Sequence, residues 1–259
     1  MNRLAIIPTK YIERYIDIQP ISLLKHFNKI KVTGANAGDF NFYAISSAVY
    51  SSMIEGNTID IDSFMRYSHS GMGKTGKPYK QIDDLKKSYE FAKSKKLNSK
   101  NVLAAHKILS NNLPIESKYR GSIRDKDVMI YNYGTLIYVG ADAKIVKGEF
   151  DKLFHDIDLL IERKMTISEV FYFASMIHFV FTHIHPFADG NGRTSRLIEK
   201  WFLAEKLGEM AWLIQSEKLY QKRIASYYKN LNVGEKYDSL NYEKCIPFLL
   251  MLPMSLNVK

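Results

Sequence analysis

From Val170 to Phe181 the chain has no lysine, arginine, aspartate or glutamate, and apolar side chains fall on nearly every face of a helix drawn through it. A helix that is apolar all round must be surrounded by other elements, so this stretch asks for the centre of a helical bundle. It opens on Thr166-Ile167-Ser168-Glu169, the Thr-x-x-Glu form of a capping box. Pro186 stands just past its end, where a residue without an N–H stops a helix. Further on, Leu197, Ile198, Trp201 and Phe202 recur at helical spacing up to Gly208, the residue type favoured just after a C-terminus. Two buried helices joined by a short loop are predicted, in a mainly α fold.

The loop is His185-Pro186-Phe187-Ala188-Asp189-Gly190-Asn191-Gly192-Arg193-Thr194-Ser195-Arg196. Gly190 and Gly192 can take backbone angles other residues avoid, so the amides around Asn191 can turn inward as an anion-binding nest. The nest falls at a helix N-terminus, where the dipole favours negative charge. Arg193 and Arg196 share one face of the first turn and offer planar forks to phosphate oxygens. Asp189 lies just before the nest; a carboxylate among phosphates normally needs a cation between them, and magnesium is the usual one. His185 is the one group in the loop able to take a proton near neutral pH. The predicted site is a phosphate cradle beside a base. An alternative reads His183, His185 and Asp189 as a metal cluster, which leaves the proline and the glycine nest without a purpose.

A chain of 259 residues, 46% of them hydrophobic, can bury a full core. No N-terminal signal pattern and no run of eighteen uncharged apolar residues is present, so no membrane span is expected. A single cysteine, Cys245, excludes an internal disulfide and suits the cytoplasm. The formal charge of +10 comes from 37 basic and 27 acidic residues. Much of it is lysine scattered through Lys86 to Lys100, a solvated helix face rather than a nucleic-acid surface.

Along the rest of the chain, residues 1–38 read as an irregular leader and a short helix with Ile21, Leu23, Leu24 and Phe27 as its buried stripe, broken by Gly34 to Gly38. A capped helix runs from Asp39 to about Glu55, with Phe42, Ile45, Val49 and Met53 near one face and Gly56 as its stop. Glu55 thus lies where the helix dipole disfavours an anion by about 0.3–1 kcal/mol, and it asks for a cationic partner. Gly71 to Pro78 imitates a P-loop, but Pro78 replaces the magnesium-binding hydroxyl and no strand precedes it; it reads as a loop. Helices are predicted over 82–94, 102–111, 149–163 and 216–231, with His106 as a packed or surface histidine; His178 and His183, in the apolar run, read as satisfied core residues. Val128-Met129-Ile130-Tyr131 and Leu136-Ile137-Tyr138-Val139 flank a Gly-containing turn and make a β-hairpin.

The string from His185 to Arg196 matches HxFx(D/E)GNGRxxR at every fixed position, and the chain is identified by it as resembling Fic-domain proteins. The resemblance spans roughly residues 40–252 and implies a helical bundle of the Fic fold with a short hairpin flap beside the active site. It divides the chain into an N-terminal helical region, 1–100, carrying an inhibitory helix at about 39–55, and a core, 101–259, carrying the flap at about 128–139 and closing helices around Pro247-Phe248-Leu249-Leu250, the whole forming one compact unit. His185 is implied to deprotonate a protein hydroxyl, Asp189 to hold Mg2+, and Phe187 to anchor the loop. Gly190, Asn191, Gly192, Arg193, Thr194, Ser195 and Arg196 are implied to bind nucleotide, with Tyr227 or Tyr228, the latter favoured, touching it as well. Ser51-Ser52-Met53-Ile54-Glu55-Gly56 resembles the inhibitory (S/T)xxxE(G/N) motif, which implies that Ser51, Glu55 and Gly56 set an inhibitory contact from Glu55 to Arg196. Val128, Met129, Ile130 and Tyr131 are implied to dock the target segment by strand addition. After the flap, Gly140-Ala141-Asp142-Ala143-Lys144 lacks the proline pair common in the family.

The activity implied is transfer of AMP from ATP, with Mg2+, to a Tyr, Thr or Ser hydroxyl of a target protein, held low by Glu55. Self-modification and a homodimer are compatible with the sequence. Two other readings are removal of AMP or transfer from another nucleotide at the same site, and a non-catalytic basic binding or scaffold protein.

Overall fold

The computed structural model describes residues 3–32, 37–70, 76–132 and 134–257. Gly71 to Thr75, most of the P-loop-like stretch, and residues 33–36, part of the break before the third helix, lie outside them. The helices are α1 (Ile12–Asp17), α2 (Leu23–Val32), α3 (Ala37–Ile54), α4 (Ile61–Ser70), α5 (Lys77–Lys93) and α6 (Ser99–Leu109), then α7 (Val146–Glu162), α8 (Ile167–Ile184) and α9 (Asn191–Leu207). Four short ones close the chain: α10 (Ser216–Lys222), α11 (Ile224–Leu231), α12 (Ile246–Leu249) and α13 (Met251–Met254). Between α6 and α7 strands β1 (Met129–Asn132) and β2 (Thr135–Val139) form an antiparallel hairpin.

α8 is the axis. Every residue from Val170 to Phe181 is buried, against α9 on one side and α1, α2, α7, α12 and α13 around the rest. By length and composition α8 could cross a membrane, yet 78% of it is buried inside the protein, as a core helix requires. The capping box is formed: the Thr166 N–H donates to Glu169 at 2.8 Å and the Glu169 N–H to Thr166 Oγ1 at 3.3 Å. Ser175 and His183 are paired inside the core, while the buried Thr182 hydroxyl has no partner. Ser175 donates to the Phe171 and Leu249 carbonyls, and His183 faces the Phe179 and Leu231 carbonyls.

α3 lies across α5, α9 and α10. A buried ion pair fastens it there: Lys200 of α9 donates to Glu217 at 2.6 Å and to Ser47 of α3 at 2.5 Å, while Tyr89 of α5 donates to Glu217 at 2.7 Å. The leader is also tied down. The amides of Ala5, Ile6 and Ile7 converge on the buried Asp156 carboxylate of α7 at 2.6, 2.8 and 2.9 Å.

Several expectations need correcting. Leu24 is 58% exposed and Phe42 is 47% exposed, so the buried faces of α2 and α3 are narrower than predicted. The predicted helix over 216–231 breaks at Arg223, between α10 and α11, with no proline or glycine to announce it. α4 was not anticipated. Both hairpin strands run one residue further into the turn, β1 to Asn132 and β2 from Thr135, which pair, with Gly134 at φ +79° in the turn and an irregularity between Ile130 and Tyr131. Val128 precedes β1, and its carbonyl accepts the Gly140 N–H at 3.1 Å.

Candidate active site

α8 ends at His185 with φ 53° and ψ 58°, and His185 is the only non-glycine residue with positive φ among those described. The left-handed turn costs an ordinary residue about 1–2 kcal/mol. It breaks the helix just before Pro186 and swings the imidazole out of the α8 core. Nδ1 then lies 3.2 Å from the Thr182 carbonyl, so it carries the proton and leaves Nε2 as an acceptor. Nε2 makes no hydrogen bond to any described residue. Burial pulls the imidazole down to about 4, and the Arg124 charge works in the same direction. His185 is therefore a neutral base at pH 7.

The next residues are held from below. Phe187 is fully buried and stacks on His106 of α6, ring centroids 3.6 Å apart and 6° from parallel. His106 accepts the Gly121 N–H at Nδ1 (2.9 Å), so the proton sits on Nε2, which donates to the Asp189 carbonyl at 3.0 Å. Burial pushes its pKa down to about 4 and keeps that neutral tautomer. Asn191 spends its side chain on the same turn: its Oδ1 accepts the Phe187 N–H and its Nδ2 donates to the Phe187 carbonyl, both at 2.8 Å. Asn191 therefore shapes the loop rather than reaching outward with its amide. Gly190 has φ +80°, and a Cβ there would meet Leu109, Leu113 and His106 at 3.0–3.3 Å.

α9 then starts with the free amides that every helix N-terminus has. Thr194 Oγ1 donates to the Gly190 carbonyl at 2.8 Å and Ser195 Oγ to the Gly192 carbonyl at 2.9 Å, so both hydroxyls serve the first turn. Arg193 is 6% exposed, and its Nε is buried with no partner. Asp189 Oδ1 accepts the Gly190 N–H at 2.6 Å.

Arg196, 1% exposed, is held on three sides. Nε donates to Ser51 Oγ at 2.8 Å, Nη2 to the Ser51 carbonyl at 3.1 Å and to Glu55 Oε1 at 2.7 Å, and Nη1 to Tyr227 OH at 3.2 Å. An arginine only donates, so the Tyr227 hydroxyl must send its own proton to His178 Nε2, 2.9 Å away. His178 then donates from Nδ1 to Glu199 at 2.7 Å, and Tyr220 donates to the same oxygen at 2.8 Å. The orientation of Arg196 is set from the core outward.

Glu55 follows α3 in a turn that Gly56 completes at φ +88°. The Gly56 N–H donates to Met53 at 3.1 Å and the Asn57 N–H to Ser52 at 3.0 Å, a Schellman end. Tyr228 OH adds a bond to the Ile54 carbonyl at 2.8 Å. Burial opposes the Glu55 charge, but Arg196 and Arg193 outweigh it and hold the carboxyl below its ordinary range. The carboxylate lies directly over the cradle: a Cβ on Gly192 would collide with Glu55 Oε1. Of the tyrosine pair, Tyr227 is 1% exposed against Arg196, while Tyr228 is 48% exposed at the end of α3.

Beside His185 stands the hairpin. Met129 and Tyr131 are more than half exposed, and Val128 and Ile130 are partly buried. Its base is anchored by Tyr138 OH to the His183 carbonyl at 2.8 Å and by the Ala141 N–H to the Ile184 carbonyl at 3.3 Å. The metal-cluster alternative fails: among the described residues no group of three or more His, Cys, Asp or Glu could hold a metal, and His183 is spent on backbone carbonyls. His106 and Arg124 were not anticipated as part of the site. Nothing local in the sequence marks either one.

Residues 96–203 match the model of the Fic/DOC family. The chain is 27% identical over 196 residues to protein adenylyltransferase Fic of Aedes aegypti, a match covering 71% of this chain and 36% of that protein. With protein adenylyltransferase Fic of Drosophila melanogaster it shares 30% identity over 154 residues, 56% of this chain and 29% of the relative. The chain thus spans about a third of the length of the curated relatives it matches. A solved Fic family protein from Desulfovibrio desulfuricans superposes with a TM-score of 0.72 at 20% identity, covering 99% of this chain and 74% of that one. A Fic domain containing signaling protein from Bacteroides thetaiotaomicron gives 0.67 at 17%, covering 96% and 93%. At such identities these two establish a shared fold. The family match runs from α6 into α9 and takes in the whole turn from His185 to Arg196, so residues 96–203 are matched as a Fic domain of the Fic/DOC family.

Proposed function

We propose that this chain is a protein adenylyltransferase that moves AMP from ATP to a Tyr, Thr or Ser hydroxyl of a target protein, and that Glu55 holds the activity low. The observation that carries this is the pairing of an open Nε2 on His185 with a helix N-terminus whose two arginines are buried, one with an unpartnered Nε and one engaged by Glu55. The names of the matched relatives point the same way.

On this reading the triphosphate lies along the start of α9, where the Gly192 and Arg193 amides and the Arg193 and Arg196 guanidinium groups take its charge. A target strand adds to the hairpin and brings a hydroxyl to His185. Nε2 takes the hydroxyl proton while the oxygen attacks the α-phosphorus; the bond to the bridging oxygen breaks, and pyrophosphate leaves toward the arginines. Base catalysis of this kind contributes roughly 10²–10⁴-fold. Asp189 fits a magnesium ligand, because magnesium is usually held by one or two carboxylates with phosphates and water supplying the rest. When bound, it neutralises phosphate charge.

The test is transfer of label from ATP carrying a radioactive α-phosphate, run alongside the other three nucleoside triphosphates. Glu55→Gly should label itself or a lysate protein, and His185→Ala added to it should abolish the label. Absence of label from every nucleotide would overturn the proposal; label from a different nucleotide alone would restrict it to that donor.

A further inference from the structure

Arg124 lies outside the two motifs named above, though within the residues matched to the family. It lies between α6 and β1 and is 3% exposed. Nε donates to the His185 carbonyl at 2.7 Å, Nη1 to the Lys126 carbonyl at 2.7 Å, and Nη2 to the carbonyls of Ala141 and, at 3.5 Å, Ile184. Its own backbone N–H donates to the Pro186 carbonyl at 3.0 Å. A buried arginine is normally matched by a carboxylate, since burying an unpaired charge is costly. Here every hydrogen-bond partner is a backbone carbonyl, while Asp127 and Asp142 act only through space.

Those carbonyls come from two places. Ile184, His185 and Pro186 form the left-handed turn that aims the imidazole, and Lys126 and Ala141 flank the hairpin. We infer that Arg124 is the positioning residue that locks the His185 turn and fastens it to the flap, so that a peptide strand added to the flap arrives in register with Nε2. A second contact supports it. Gly140, which leads out of β2, is so close that a Cβ there would stand 3.1 Å from Arg124 Nη2 and 3.1 Å from His185 Cβ. Flap, guanidinium and base form one packed unit in which a fork is required, because a single ammonium cannot reach carbonyls on both sides.

The inference rests on His185 being the base, and two readouts separate them. The first is label transfer in a Glu55→Gly parent. Arg124→Lys should lower kcat about 100-fold, the effect of roughly 1 Å of misplacement at a reacting group. The KM for ATP should stay within about twofold, since the cradle is built by His106, Asn191 and the start of α9. Arg124→Ala should regain part of its kcat with added guanidinium, and Gly140→Ala should lose kcat with Arg124 intact. The second readout needs no turnover: the Ala141 amide, bonded to the Ile184 carbonyl, should exchange its hydrogen at least about tenfold faster in Arg124→Lys. Unchanged exchange overturns the lock. Faster exchange with undiminished label transfer overturns the positioning role, as does a kcat loss accompanied by an equal loss of ATP binding. If the parent itself transfers no label, the reading of His185 fails, and exchange alone judges the lock.

Discussion

Replacing Glu55 by glycine removes a charged hydrogen bond of 2.7 Å to a guanidinium that keeps its bonds to Ser51 and Tyr227. A hydrogen bond to a charged group contributes about 1.5–3 kcal/mol. Glu55 sits at the C-terminal end of α3, so the dipole takes back about 0.3–1 kcal/mol. Its side chain is 29% exposed, and solvent screening places the net hold in the lower part of the range, about 1–2 kcal/mol. If a terminal phosphate must displace this carboxylate before ATP sits productively, losing it raises the initial rate of label transfer by about 5- to 30-fold, at 1.36 kcal/mol per tenfold. Glu55→Gln should give a smaller rise, because a neutral amide still donates and accepts at the same place. The measurement is the initial rate of radiolabel incorporation at ATP well below KM. A change under about twofold in Glu55→Gly, with ATP binding intact, would refute the idea that Glu55 competes for Arg196.

The remaining predictions concern the turn and its supports. With its pKa down at about 4, His185 is unprotonated through the neutral range, so label transfer by Glu55→Gly should be flat from about pH 5.5 to 8 and fall below about pH 4.5; a midpoint near 6.5 would contradict the burial of the imidazole. Glu55, with a lowered pKa, contributes its stabilisation above the unfolded value of about 4.3 and loses it as pH falls through the folded one, so acid releases Glu55 only where His185 is being protonated and should not activate the wild type. His106→Phe keeps the stack on Phe187 but strands the Gly121 N–H and the Asp189 carbonyl; thermal unfolding should report a loss of about 1–3 kcal/mol and ATP binding should weaken. Gly56→Ala puts a side chain at φ +88° and should destabilise by about 1–2 kcal/mol in denaturant titration, with a rise in label transfer as the α3 end loosens.

Much of this site could be read along the chain because its parts are local. The apolar run from Val170 to Phe181, the Thr166 capping box and Gly208 declare two buried helices, and the elements between them follow within one turn. The hairpin shows itself as two short apolar runs around a turn containing Gly134, to within a residue at its strand ends. Long-range partners left no such trace. His106 is one histidine on an ordinary amphipathic helix, and only the fold brings it under Asp189, 83 positions away. Arg124 reads as one more surface charge until the carbonyls of two distant turns close on it. Leu24 and Phe42 continue the apolar spacing of their helices but are 58% and 47% exposed, so periodicity overstates their burial. Tyr227 and Tyr228 are adjacent, and which one faces Arg196 depends on how α11 is rotated after the break at Arg223, a rotation that composition does not encode.

The hydrogen bonds around Arg196 also bear on how inhibition would be lifted on the proposed reading. Glu199, His178 and Tyr227 orient the guanidinium from α8, α9 and α11, and Ser51 holds it from α3 through both hydroxyl and carbonyl. Only the bond to Glu55 competes with a phosphate; the rest pre-organise the donor. Activation therefore requires no rearrangement of the α8–α9 pair, and the cradle waits complete beneath its plug. Ser51 keeps its bonds to Arg196; what must yield is residues 52–56, held by a Schellman end, one tyrosine hydroxyl on the Ile54 carbonyl, and the Glu55 carboxylate itself. The Lys200, Ser47 and Glu217 cluster lies two turns earlier and fixes the body of α3 independently. On that reading a trigger that frays residues 52–56 frees Arg196, and Glu55 and Gly56 are themselves exposed there, beside the half-exposed Tyr228 of α11.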